Sequence, residues 1–159
     1  MKIKGFIVVL LLITLTYTYG KGLKAPYFEL KDENGNIVKL SDLKGYVSLI
    51  VFCKTTCKVC KKYIPYDVLY VYKKYKDKGF KTLIMVMDTV SPQKVKKMKR
   101  ELGIEEIPCI FANEDILRKY RILGSPTTYL LDKDLSIRRI FLGRHSYKVL
   151  EEWIKRFLK

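Results

Sequence analysis

The sequence predicts a single α/β domain, a central mixed sheet with helices on both faces, preceded by an N-terminal β-hairpin. Three observations lead there. Two uncharged or nearly uncharged runs of strand length, "GYVSLIVFC" and "FKTLIMVMD", read as strands buried on both faces. Each is followed by a segment whose apolar residues recur at helical spacing. The chain then closes on strand, turn, strand and helix, an order that gives an antiparallel pair beside parallel strands.

The elements follow in order. "YFEL" and "NIVKL" flank "DENGN", Asp32 to Asn36, whose Asn-Gly chemistry suits a tight hairpin turn. After the strand ending at Cys53, a helix starts at Cys60 and points Ile64, Val68, Val71 and Tyr75 along one face. Pro65 lies inside it and should kink it, because proline cannot donate the bond to the preceding turn. "SPQKVKKMKREL" opens another helix, with Ser91 as cap, Pro92 at the first position, and Val95, Met98 and Leu102 inward. A strand at Pro108 to Ala112 and a short helix near Asp115 to Tyr120 come next. "TTYLLD", the turn "KDLS" and "IRRIFL" form the antiparallel pair. The last helix takes Ser146 as cap and turns Leu150, Trp153, Ile154 and Phe157 inward.

At 159 residues and 48% hydrophobic, the chain suffices for one core and is short for two. Residues 1–20 are set apart from the domain, residues 21–159. Lys2 and Lys4 precede Gly5 to Gly20, 16 residues without a charge, the pattern of an export signal and slightly short of the roughly 20 a spanning helix needs. A cleaved signal or a membrane anchor through residues 5–20 is expected, and with it a place outside the cytoplasmic membrane. The chain carries +16; without residues 1–20 it loses two lysines and no acid, which leaves +14. The basic residues are scattered through every segment rather than gathered in an arm, so a lysine-rich solvated surface is expected and nucleic acid is not. One Gln and three Asn lean toward heat adaptation, a setting in which cysteine count does not fix the compartment.

The chemistry sits in "FCKTTCKVCKK". Cys57 and Cys60 fall at the join of strand and helix, where unpaired N–H groups and the helix dipole favour a thiolate, and Lys54, Lys58, Lys61 and Lys62 add positive charge. Two intervening residues leave one sulfur exposed and the other a turn deeper. Cys57 is therefore assigned as attacking thiol and Cys60 as resolving thiol in disulfide exchange. Zinc would need four ligands, and Cys53, Cys109 and His145 do not repeat the paired spacing. No metal and no cofactor are expected. Cys53 and Cys109 are read as small buried side chains on strands, with a second disulfide, or a relay of oxidation from Cys57 to Cys53, as the alternative. His145 is read as a surface residue near the last helix.

Three stretches, "APYFELKDENGNIVKLSDLKGYVSLIVF", "CKVCKKYIP" and "GSPTTYLLDKDLSI", resemble the thioredoxin-like fold of exported thiol-disulfide oxidoreductases of the TlpA and ResA kind, within the broader AhpC/TSA-like redoxins. The likeness covers about residues 24 to 158. It implies that Pro126 is the cis-proline beside the cysteine pair and that Ser125 lends backbone to a bound substrate chain. It implies protein disulfides or dithiols as substrates; reduction of partner disulfides, fed by a membrane electron-donor protein, is the expected direction, while reducing and oxidising members share this framework and the sequence does not fix which. The chain departs from the pattern at Cys53 and Thr56, where the family usually has Trp, at Lys58-Val59 in place of Gly-Pro or Glu-Pro, and at Tyr63 in place of an acid. Two other functions share the fold. A thiol peroxidase would usually carry Thr where Lys54 stands, and a copper-binding assembly factor would use Cys53, Cys57 and a histidine, for which His145 is the candidate.

Overall fold

The computed structural model describes residues 22–159. The expected signal or anchor, residues 1–20, lies outside them. Among the described residues no helix is long and apolar enough to cross a membrane. A hairpin of β1 (Glu29–Lys31) and β2 (Ile37–Lys39) leads through a 3-10 turn at Leu40–Leu43 into β3 (Val47–Cys53). There follow α1 (Cys60–Tyr63), a π segment (Ile64–Val68), α2 (Leu69–Tyr75), β4 (Phe80–Val86), α3 (Pro92–Leu102), β5 (Cys109–Phe111), α4 (Glu114–Lys119), β6 (Thr127–Leu131), β7 (Ile137–Leu142) and α5 (Tyr147–Leu158). The main sheet has the order β5-β4-β3-β6-β7. β3, β4 and β5 run parallel, whereas β6 opposes β3 and β7 opposes β6. The mixed sheet, the flanking helices and the hairpin are those the sequence calls for.

Strand periodicity decides which layer each residue joins. In β3, Val47, Leu49, Val51 and Cys53 pack with Tyr63, Ile64, Val68 and Val71 of the helical segment and with Leu150 and Ile154 of α5. Ile50 and Phe52 pack on the other face with Phe28, Leu43, Ile116, Tyr120 and Tyr129. Cys53 therefore lies on the same side of the sheet as Cys60.

Three local outcomes differ from the sequence reading. Around Pro65, where the sequence suggests a kink, the chain winds as a π segment, in which Leu69 N–H donates to Ile64 O. Ser146 occupies the cap position of α5 but makes no side-chain cap bond; Tyr147 N–H donates instead to Asp67 Oδ1 at 3.0 Å, and Arg144 pairs with Asp67 Oδ2 at 2.7 Å. Lys99, on a lysine-rich helix that reads as solvent-facing, is buried and paired with buried Glu33.

Asp32 and Asp132 build two turns in the same way. Each Oδ1 accepts from two backbone N–H groups, those of Asn34 and Asn36 in one turn and of Asp134 and Ser136 in the other. At Asp132 burial pushes the carboxyl up, but Ser136 N–H, the Arg138 side chain and Asp134 N–H outweigh it and hold the value below 3.8. A carboxyl depressed in the folded state stabilises above its unfolded value, about 3.9, and that contribution is lost as pH falls through the folded value. Asp132→Ala is expected to cost about 2 kcal/mol at pH 7 and less below about pH 4, read by urea unfolding at several pH values.

Candidate functional site

The site lies at the C-terminal end of β3. The loop that leaves β3 is pinned to the end of β4 by Asp88, whose Oδ1 accepts Thr55 N–H at 2.9 Å and whose Oδ2 accepts Thr55 Oγ1–H at 2.5 Å. This two-point clamp was not anticipated, because an Asp just past a strand reads as an ordinary loop residue.

From that loop the chain turns into α1. Cys60 N–H donates to Cys57 Sγ at 3.1 Å, and Lys61 N–H donates to Cys57 O at 3.1 Å. Cys57 is half-buried, while Cys60 is 1% and Cys53 4% exposed. One sulfur faces the surface and another lies a turn deeper, as the spacing requires. Lys54, Lys58, Lys61 and Lys62 are all exposed around them.

Ser125 and Pro126 come from the segment before β6, antiparallel to β3, which delivers them to the same strand end. The Ser125-Pro126 peptide is cis. The carbonyl of Ser125 accepts Cys57 Sγ–H at 3.7 Å, and its Oγ accepts Lys54 N–H at 3.1 Å while lying 3.1 Å from Cys60 Sγ. The sequence reading gave this residue a backbone role alone; here its hydroxyl also touches the deeper sulfur. Ser125→Ala is expected to slow release of a mixed disulfide about fivefold, one lost hydrogen bond, when exchange is followed by stopped-flow mixing. Beside Pro126 runs a groove of about 300 Å³ lined by Leu123, Gly124, Thr127 and Leu142. Leu123 is 99% and Leu142 73% exposed.

Cys53 enters the cluster. The sulfurs of Cys53, Cys57 and Cys60 all lie within 4.8 Å of one another. Cys53 and Cys60 are paired as a disulfide, with Cα atoms 6.3 Å apart, and Cys57 is the free thiol of the three. Three thiolates together are donors for a soft metal ion, but a pair held in a disulfide is not. His145 does not join them: its Nε2 is 3.1 Å from Leu142 O and its ring packs on Phe141. Cys109 is separate, in β5, and burial pushes its thiol up to about 12, which makes it inert at neutral pH.

Tyr63, where an acid would handle protons, is fully buried; its hydroxyl is 3.1 Å from Thr128 Oγ1, and burial pushes it up to about 12. It stays neutral throughout the working range.

The AhpC/TSA family model matches residues 22–140, which span the sheet through most of β7 and include all three clustered cysteines. The chain belongs to the AhpC/TSA family. Within it, the chain is 30% identical over 135 residues to a thiol-disulfide oxidoreductase ResA of Bacillus thuringiensis subsp. konkukian, covering 85% of this chain and 77% of that one. The ResA of Bacillus subtilis is 28% identical, covering 84% and 74%. Among solved structures, a putative thiol:disulfide interchange protein DsbE from Chlorobium tepidum superposes with a TM-score of 0.79 at 29% identity, covering 87% of this chain and 98% of that one. This AhpC/TSA member is thus a thiol-disulfide oxidoreductase with a thioredoxin-like fold, as the sequence motifs imply.

Proposed function

We propose that this oxidoreductase works outside the cytoplasmic membrane and reduces disulfides in partner proteins, with Cys57 as attacking thiol and Cys60 as resolving thiol. The observation that carries the assignment is the asymmetry of the pair: Cys57 reaches the surface and receives the Cys60 N–H, while Cys60 is buried behind it. In the forward reaction the Cys57 thiolate attacks one sulfur of the target disulfide, and the other target sulfur leaves with the electron pair and takes a proton. The Cys60 thiolate then attacks Cys57 Sγ and expels the second target thiol. Two electrons pass to the target, and the Cys57–Cys60 disulfide remains.

A protein substrate suits the surroundings. The groove beside Pro126, edged by the exposed Leu123 and Leu142, offers apolar surface to an extended segment, and Val59 between the cysteines is also exposed. Lys54 stands exposed where a peroxidase of this family would usually present Thr. The extracytoplasmic placement rests on Lys2, Lys4 and the uncharged stretch Gly5 to Gly20, and a reductant placed there needs a membrane electron-donor protein to restore the dithiol.

The test is the reduction potential of the cysteine pair, read in the full chain by equilibration with glutathione buffers and mass counting of alkylated thiols. A value toward −270 mV is expected. A value toward −120 mV would make the protein an oxidant of its partners.

A further inference from the structure

We propose that Cys53 is a third exchanging thiol, so that the oxidised protein holds its single disulfide in either of two places, Cys57–Cys60 or Cys53–Cys60. This rests on the exchange reading above and adds to it a resting position for the disulfide.

Geometry makes both pairs available. The three sulfurs lie within 4.8 Å of one another. The Cα atoms of Cys53 and Cys60 are 6.3 Å apart, inside the roughly 4.4 to 6.8 Å that disulfides span. Neither residue needs to be carried there by a loop motion: Cys53 closes β3, Cys60 opens α1, and both pack into the same core layer. In the structure Cys60 is joined to Cys53, and Cys57 is left as a thiol at the surface.

The step that connects the two forms balances without an outside oxidant. The Cys53 thiolate attacks Cys60 Sγ of the Cys57–Cys60 disulfide. The Cys53–Cys60 bond forms, the Cys57–Cys60 bond breaks, and Cys57 leaves with the electron pair and accepts the proton that Cys53 gave up. Cys57 is the suitable leaving sulfur, because the Cys60 N–H already donates to it. The reverse step, Cys57 attacking Cys60, restores the working disulfide.

The two forms differ in access. The Cys53–Cys60 disulfide has both partners buried, at 4% and 1% exposure, so a partner thiol approaches it through Cys57. While the disulfide rests there, the protein keeps its oxidising equivalents and yet presents a free surface thiol. That thiol can still form a mixed disulfide with a partner, which the Cys57–Cys60 form cannot do by its own attack.

The full chain is oxidised with oxidised glutathione, quenched in acid, alkylated, and its disulfide mapped by peptide mass. Two one-disulfide populations are expected: one alkylated at Cys57 with Cys53 linked to Cys60, the other alkylated at Cys53 with Cys57 linked to Cys60. In Cys57→Ser the same oxidation is expected to remove two alkylation sites and link Cys53 to Cys60 within one chain. The proposal is overturned if every oxidised wild-type molecule is alkylated at Cys53, a readout that stands even should Cys57→Ser fold poorly. Cys53→Ser separates this from the underlying reading: it must still form the Cys57–Cys60 disulfide, and its failure to do so would remove the exchange pair itself.

Discussion

Replacing Cys57 by serine is expected to stop disulfide exchange, with the rate of reducing a protein disulfide falling by about 10⁴-fold or more, because the group proposed to form the covalent intermediate is gone. Cys60→Ser gives a different failure. On the proposed assignment Cys57 still attacks, but the buried Cys60 sulfur that would release the product is absent, and a mixed disulfide with the target is expected to accumulate. Incubation with a disulfide-bonded target, followed by non-reducing electrophoresis, tells the two apart: a trapped adduct for Cys60→Ser and none for Cys57→Ser. If the adduct formed with Cys57→Ser and vanished with Cys60→Ser, the roles of the two sulfurs would have to be exchanged. The direction of the assignment follows from exposure, since the deeper sulfur, 1% exposed, cannot meet an external disulfide first.

The second large effect lies away from the cysteines. Lys99→Met is expected to cost about 3 to 5 kcal/mol and to lower the midpoint of thermal unfolding by roughly 10 °C or more. Glu33 is 4% and Lys99 6% exposed, and Glu33 holds the hairpin turn against β5 through both its backbone and its side chain. Its N–H donates to Cys109 O at 3.0 Å, and its Oε2 accepts Cys109 N–H at 3.0 Å. Without Lys99 the carboxylate stays buried with its charge uncompensated. Removing both charges, in Glu33→Gln/Lys99→Met, should restore most of the loss, because a neutral amide retains an acceptor for Cys109 N–H. A single variant that melts within about 2 °C of the parent would show that the pair carries no such weight.

Most of the architecture is legible in the chain because its signals are local. The apolar run Val47 to Cys53, the Asn-Gly turn after Glu33 and the Ser91-Pro92 helix start each act over a few residues, and each appears where its chemistry puts it. The same is true of Cys57 and Cys60, whose spacing and position after a strand carry their own argument. What escaped depends on partners distant in sequence. Lys99 reads as a solvated lysine until Glu33, 66 residues earlier, is folded over it. Asp88 becomes a clamp only when β4 lies beside β3, which sets it against Thr55. Ser146 has the right residue type for a cap, yet Asp67, in the π segment 80 residues before Tyr147, accepts the Tyr147 N–H instead.

Cys53 shows the limit most clearly. A separation of seven from Cys60 is not a motif, and nothing in the spacing alone brings the two together. The deciding facts are the two-residue period of β3, which assigns Cys53 to the helix-facing side, and the start of α1 directly above that side. Cys109, also on a strand and on the same side of the sheet, has no such neighbour and remains an inert core thiol. Two cysteines that look alike in the sequence are thus separated by which strand end they occupy.

The π segment at Ile64–Val68 gives the helical stretch one residue more than regular winding would use. That surplus divides it into two parts with independent obligations. Upstream, the turn holding Cys60 answers to Ser125 and Cys53; downstream, Val71 and Tyr75 answer to the sheet. The wide turn acts as a slip joint between them, able to absorb a change of length that would otherwise rotate every later side chain by about 100°. A one-residue change of length in the redox loop would be taken up there, leaving Val71 and Tyr75 in register with the core behind it.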